Sequence, residues 1–299
     1  MNERIKILIA YDGSTCADDA VNDLPRAGMP READALIVHI QERWLPPPSS
    51  YALPEKVSVT SNSVAAQLAQ DTQEERQLQA EGEDIKILEK AFDRLKSYFP
   101  EWTTETFSLQ GSPAREITRQ AKEWNADLIV VGSHGRTGIK RFVLGSVSQK
   151  IVNEAGCSVR VVRGEAWKTG SPSRLLIGLD GTSAAREAVA EVARRMWIMG
   201  SEARLVVARD APDKNSEWLR EYVEDARKTL ERAELSVTEL IEVGDPKQLI
   251  VAAAEEWGAD CIFLGANDSE NFFENLLLGS VSTAVVARAH CTVEIVRKK

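Results

Sequence analysis

Two rhythms of apolar and polar positions run along this chain. Short apolar runs bounded by turn residues alternate with longer stretches that place an apolar residue every third or fourth position. Ile5 to Tyr11 and Ala35 to Ile40 read as buried strands, and Ser14 stands where it can cap a helix after the first of them. Residues 44–69, with Pro46-Pro47-Pro48 and several serines, read as irregular. The spacing predicts a helix from Asp71 to Tyr98 with Ile85, Leu88, Phe92 and Leu95 on one stripe, then a third strand from Thr104 to Leu109. Gly111-Ser112 leads into a helix with Pro113 at its first position. A strand at 127–132, a helix at 146–155 and a strand at 158–163 follow. The same rhythm then returns, with strands at 174–180, 203–208, 236–243, 260–265 and 291–297. Helices are expected between them at 183–199, 215–233, 246–257 and 280–288.

That return is a duplication. Ala10-Tyr11-Asp12-Gly13-Ser14 matches Gly178-Leu179-Asp180-Gly181-Thr182 at an offset of 168. Gly111-Ser112-Pro113 matches Gly244-Asp245-Pro246, and Gly132 matches Gly265, at an offset of 133. Gly145-Ser146 matches Gly279-Ser280, and Cys157-Ser158-Val159 matches Cys291-Thr292-Val293, at 134. The fall in offset from 168 to 133 means that the first copy carries about 35 extra residues, placed between about 44 and 80. The expected domains are 1–163 and 173–299, joined by a linker at 164–172.

Strands alternating with helices imply α/β architecture, each copy a five-stranded parallel sheet covered on both faces. Right-handed crossovers fit a doubly wound strand order of 3-2-1-4-5. Strands 1 and 4 are then neighbours whose following connections leave in opposite directions, and ligands bind in the crevice at such a switch point. Asp12 ends the first strand and Gly132 the fourth, so both converge on one cleft.

At that cleft stands Gly132-x2-Gly135-x9-Gly145-Ser146. Glycine at a strand exit permits close approach of the backbone and positive φ. Free N–H groups in such a turn and at the start of the next helix favour an anion. Arg136, Lys140 and Arg141 lie in the loop, with no acid among them. The pattern has neither the Gly-Lys-Ser/Thr of a Walker loop nor a Gly-x-Gly-x-x-Gly.

Composition narrows the setting. At 299 residues there is room for two domains with full cores, and a net charge of −9 argues against a general binder of nucleic acid or anionic membrane. No apolar stretch approaches a membrane span and no signal peptide opens the chain, so a cytoplasmic location is expected. Cys16, Cys157, Cys261 and Cys291 form no Cys-x-x-Cys, lie in apolar segments or at their edges, and read as small buried residues in a reducing compartment, neither ligands nor bridges.

The glycine pattern resembles the ATP-binding signature of the universal stress protein family, Gly-x2-Gly-x9-Gly-Ser/Thr, with every fixed position filled, and the resemblance extends over nearly the whole chain as two tandem copies. It implies a Rossmann-like fold akin to the adenine nucleotide alpha hydrolases and the same strand order. It also implies an adenine nucleotide, ATP, arriving with Mg²⁺ held mainly by phosphate oxygens and water. By this resemblance Asp12 faces the nucleoside and Ala10 and Val131 the base. A backbone contact maps to His39 or Val38; His departs from the usual apolar residue there, and a packed role is expected for its ring. Gly132, Gly135, Gly145 and Ser146 hold the phosphates, with Ser133, the Val147 N–H and Arg136 assisting. The alternative for Asp12 is that of a turn-former before Gly13. In the family, last strands pair across a dimer interface; here the two copies are expected to meet internally as a pseudo-twofold unit, with homodimerisation and an unidentified protein partner left open.

The second copy keeps Asp180, Gly265 and Gly279-Ser280, but Asp268 stands where Gly135 stood and the loop is one residue longer. Asp268, Glu270 and Glu274 give it −3 against the +3 of Arg136, Lys140 and Arg141. Carboxylates repel a polyanion, so this copy is expected not to bind ATP, and Phe272, Phe273 and Leu276 to Leu278 to pack on the sheet or on a partner. No residue stands out as a base to orient water, and no catalytic residue is assigned; any hydrolysis is expected to be slow. The expected role is nucleotide-dependent regulation in a stress response. Its rivals are a scaffold that ignores nucleotide and a slow ATPase or self-phosphorylating protein using Ser133 or Ser146. The Ser-Gly-Gly-x-Asp-Ser loop of related adenine-binding hydrolases is not matched by Ala10-Tyr11-Asp12-Gly13-Ser14. The insertion, leaving strand 2 on the cleft side, reads as a lid or a docking surface.

Overall fold

The computed structural model describes residues 4–41, 82–135, 144–164, 170–209, 217–266 and 279–298. The first repeat contributes strands β1 (Lys6–Ala10), β2 (Asp34–Gln41), β3 (Thr103–Gln110), β4 (Leu128–Gly132) and β5 (Ser158–Val162). Its helices are α1 (Thr15–Asp23), α2 (82–98), α3 (Pro113–Trp124) and α4 (Ser146–Glu154). The second repeat contributes β6 (Arg174–Leu179), β7 (Glu202–Arg209), β8 (Ser236–Val243), β9 (Cys261–Gly265) and β10 (Thr292–Val296). Its helices are α5 (Ser183–Arg194), α6 (Glu217–Arg232), α7 (Pro246–Trp257) and α8 (Ser280–Arg288).

The ten described strands form one sheet in the order β3-β2-β1-β4-β5-β10-β9-β6-β7-β8. Each half is parallel, and the halves join through the antiparallel pair β5–β10. Both joining strands are buried throughout, whereas the outermost strands β3 and β8 are largely exposed. Alternation along β1 divides the core. Ile7 and Ile9 face α1 and α2, while Leu8 and Ala10 face α3 and α4. Burying each large aliphatic side chain contributes about 1.5–3 kcal/mol, so the central strands anchor the fold.

The two faces of the sheet join the repeats differently. On one face α3, α4, α7 and α8 share a single apolar cluster that crosses the β5–β10 seam through Val159, Val161, Val293 and Ile295. On the other face the cores under α1/α2 and α5/α6 are separate. Between them lie Arg160, Glu294, Asp23 and Arg195.

Two arginines, Arg163 buried and Arg297 half-buried, tie the repeats together. Arg297, just past β10, donates to the Val152 carbonyl at 2.6 Å and the Cys157 carbonyl at 3.3 Å, at and beyond the C-terminus of α4. Arg163, just past β5, reaches the carbonyls of Ala287 and Ala289 at the end of α8. Each repeat thus supplies a cation to the negative end of the other repeat's last helix. Burial pushes both guanidinium pKa values down.

Two expected features differ. The helix predicted at 183–199 ends at Arg194. Arg195 turns to extended geometry, its side chain donates to the Ala27 carbonyl at 3.0 Å, and the Met196 N–H meets the Gly28 carbonyl at 2.9 Å. Contact with the first repeat ends this helix. In α2 the buried line is Asp84, Leu88, Ala91 and Leu95, while Ile85 is exposed. Residues 71–81 and the insertion lie outside the described residues.

Candidate functional site

The cleft lies where β1 and β4 run side by side, with Ile9 opposite Val130. The chain leaves β1 for α1 on one face and β4 for α4 on the other. After β1, Gly13 takes a positive φ of 80°. Asp12 Oδ1 accepts from the Ser14 N–H at 3.0 Å, and Ser14 Oγ accepts from Ala17 N at 3.2 Å to cap α1. Asp12 therefore shapes the turn as an Asx residue. Its other oxygen faces the later loop: a Cβ added at Gly135 would stand 3.0 Å from Asp12 Oδ2. Residues 123 positions apart in sequence meet there.

Hydrogen bonds fix both ends of the loop. Ser133 N donates to the Val162 carbonyl at 3.0 Å, and Gly145 N donates to the Ser133 carbonyl at 2.8 Å. Ser148 Oγ donates to the Gly132 carbonyl at 2.7 Å. The start of α4 is thus pinned to the end of β4. Gly145 is its N-cap and offers no side-chain cap, so the N–H groups of Ser146, Val147 and Ser148 have no helical partner. The Gly145 N–H, expected to face phosphate, is instead taken by Ser133.

The glycines lack the positive φ expected of them, and two are demanded by packing. None of Gly132, Gly135 and Gly145 has a positive φ. At Gly132 a Cβ would lie 2.6 Å from the Cys16 carbonyl oxygen, because the first turn of α1 packs against the strand exit. Gly265 repeats this, its Cβ falling 2.2 Å from the Ala184 carbonyl carbon. These two glycines serve packing. Gly145, whose Cβ would stand 3.1 Å from the Ser133 carbonyl oxygen, allows the pinning of the loop.

Ala10 and Val131 belong to the apolar core, and Val147 packs partly against it. Ser133 is buried with its Oγ 3.0 Å from His134 Nδ1. Burial and the nearby Arg163 hold the His134 pKa below the usual imidazole value. His39 is a clamped core residue. Its Nδ1 donates to the Tyr11 carbonyl at 2.8 Å, and its Nε2 lies 3.3 Å from Asp84 Oδ1, whose other oxygen accepts from Ser108 Oγ at 2.7 Å. Arg136, Lys140 and Arg141 lie outside the described residues.

Sequence reasoning missed Asp84, Ser108 and Ser148. Asp84 and Ser108 carried no pattern. Ser148 did carry one, since Ser282 repeats it and donates to the Gly265 carbonyl at 3.4 Å. In the second repeat Asp180 Oδ1 accepts from Thr182 N at 3.0 Å and Thr182 Oγ1 at 2.6 Å. The Trp218 ring sits over Gly181, 3.0 Å from where a Cβ would be. Burial and Asp180 push the Tyr222 hydroxyl up to about 12. The acidic loop beyond Ala266, with Phe272, Phe273 and Leu276 to Leu278, lies outside the described residues. The four cysteines form no disulfide; Cys157 and Cys261 are buried as expected, whereas Cys16 and Cys291 are only half-buried. Among the described residues no three His, Cys, Asp or Glu side chains gather to hold a metal, and no helix is long and apolar enough to cross a membrane.

A doubled parallel sheet with a glycine-framed crevice at each switch point defines a tandem α/β protein. The sequence profile described as "Universal stress protein family" matches residues 4–163 and again 172–297, and the chain belongs to that family. Universal stress protein YxiE of Bacillus subtilis is 30% identical over 158 residues, covering 53% of this chain and 98% of YxiE. Putative universal stress protein SH1215 of Staphylococcus haemolyticus is 32% identical over 160 residues, covering 53% of this chain and 84% of its own. A universal stress protein from Archaeoglobus fulgidus has the same fold over 98% of this chain and 96% of its own, with a TM-score of 0.65 at 19% identity.

Proposed function

We propose that the first repeat, residues 1–163, binds an adenine nucleotide, ATP with Mg²⁺, and that occupancy of this cleft regulates a stress response. The second repeat, residues 173–299, is structural or regulatory. The observation that carries the reading is the uncapped start of α4 at the β1/β4 switch point. The N–H groups of Ser146, Val147 and Ser148 stand there at the positive end of the helix dipole, and Gly145 before them packs against Ser133 and His134, next in the chain to the Gly135 that meets Asp12.

In this reading Asp12 and the ends of β1 and β4 at Ala10 and Val131 frame the nucleoside. Gly132, Ser133, Gly135, Arg136, Gly145, Ser146 and Val147 surround the phosphates. Ser146 contributes a hydroxyl as well as an N–H, and Gly135 leaves room between the loop and Asp12. Mg²⁺ would be carried mainly by the phosphate oxygens and water. His39 does not take part through its ring, which Tyr11 and Asp84 already hold.

The test is calorimetric titration of the nucleotide-stripped full chain with Mg-ATP, reading stoichiometry first. The informative variants are Ser146→Asp and Ser280→Asp. An acid in the first helical turn suits the dipole and leaves the fold intact, but it sets a like charge against phosphate. Ser146→Asp should weaken binding by at least about tenfold, equal to ~1.4 kcal/mol, and Ser280→Asp should leave one site per chain unchanged. Equal losses in both variants, or no heat with the unaltered chain, would refute the reading.

A further inference from the structure

The pseudo-twofold axis relating the repeats passes between Arg160 and Glu294. In the seam Val159 faces Ile295, Arg160 faces Glu294 and Val161 faces Val293. The repeat offset of 134 makes residues 160 and 294 counterparts, so the position at the axis faces its own equivalent. Were the repeats identical, like would meet like there. Instead, opposite charges meet, on side chains only 2% and 0% exposed, with Arg160 Nη1 2.9 Å from Glu294 Oε2.

Each partner is held by its own repeat as well. Asp23, from α1, lies 2.6 Å from Arg160 Nε. Arg195 donates to both oxygens of Glu294, and Glu191, from α5, lies 3.0 Å from Arg195. Burial works against the charged Arg160, but Asp23 and Glu294 outweigh it and hold its pKa well above the ordinary value. Arg195 also crosses the seam to the Ala27 carbonyl, and its counterpart in the first repeat is Ala27 itself. The cluster therefore has a direction that the sheet hydrogen bonds lack.

We infer that the β5–β10 seam is a charge-coded recognition surface, on which the edge of a first repeat accepts the edge of a second repeat and rejects its own kind. A β5–β5 pair in this register would bury Arg160 against Arg160 and leave Ala27 without its donor. A β10–β10 pair would bury Glu294 against Glu294. Buried like charges are strongly disfavoured where exposed ones are screened, so rejection rests on the burial of this pair. The partner each edge fits is an antiparallel strand presenting the opposite charge at one register position. Within one chain that partner is the other repeat, and the seam closes on itself.

Two reversals in the full chain test this, Arg160→Glu and Glu294→Arg, carrying different affinity tags. Produced alone, each should lose the closed 33.0 kDa monomer and melt lower than the unaltered chain. Produced together, they should be recovered as a 1:1 complex of twice that mass. In that complex Arg160 of the Glu294→Arg chain meets Glu294 of the Arg160→Glu chain in a native seam. A pair of neutral variants, Arg160→Gln and Glu294→Gln, should yield at least about tenfold less mixed complex, since neutral edges carry no code. Reversals that stay monomeric with unchanged melting overturn the inference. So does co-production that recovers neither chain, or neutral variants that form as much mixed complex as the reversals. None of these outcomes depends on nucleotide.

Discussion

The two clefts share their framework and differ in what fills it. In both, an Asx turn follows the first strand, with Asp12 accepting from Ser14 and Asp180 from Thr182. Both also have a strand-exit glycine crowded by the facing helix, and a helical serine bound to that glycine's carbonyl. They part at the variable positions. Ile87 lies over Gly13, whereas Trp218 covers Gly181. Gly135 makes room beside Asp12, whereas the second copy has Asp268 at the matching sequence position and −3 in place of +3 among the charges of its loop sequence. Retention of Gly132 and Gly265 is thus explained by packing alone, so these glycines do not by themselves tell a binding cleft from an empty one.

That lesson can be broken most directly at the glycines. Gly132→Ala and Gly265→Ala should both destabilise, by at least about 1–3 kcal/mol each, because each added Cβ meets backbone of a facing helix that cannot swing aside. Gly265→Ala should be the more damaging, and thermal melting of both variants would show it. A Gly132→Ala chain that melts normally yet loses nucleotide would show that Gly132 serves the ligand rather than packing.

A smaller effect separates the reciprocal arginines. Arg297→Met removes the cation from the end of α4, and Arg163→Met does the same for α8, each costing about 1–2 kcal/mol. On the proposed reading only Arg297→Met should also weaken nucleotide binding, since α4 alone carries the phosphate cradle. Parallel titrations of the two variants would expose an equal effect, which would argue against that asymmetry.

The smallest expected difference is in pH response. The folded-state pKa of His134 lies below its unfolded value near 6.5, so the unfolded chain takes up the proton first. The contribution is complete above the unfolded value, and stability declines as pH falls below it, with a slope under about 1.4 kcal/mol per pH unit. The second repeat has Asn267 at this position. His134→Asn should flatten the melting profile between pH 7 and pH 5, and an unchanged profile would remove His134 as its source.

The sequence by itself determined the duplication, the strands, the parallel order and the location of the cleft. Runs such as Leu128 to Val131 and spacings such as Leu88 to Leu95 in α2 are local properties, decided within a few residues by burial and periodicity. Asp12 and Gly132 could be brought together on paper because topology alone makes β1 and β4 neighbours. Only the tertiary structure decided which task each residue performs. Gly132 is crowded by the Cys16 carbonyl, His39 is clamped by Asp84 from beyond the insertion, and α5 stops at Arg194 because Ala27 and Gly28 take up the residues that follow. The meeting of Arg160 with Glu294 belongs to the same class. Each of these contacts joins residues far apart in the chain, and its energy depends on burial and on the geometry of two separate elements, which no local pattern records.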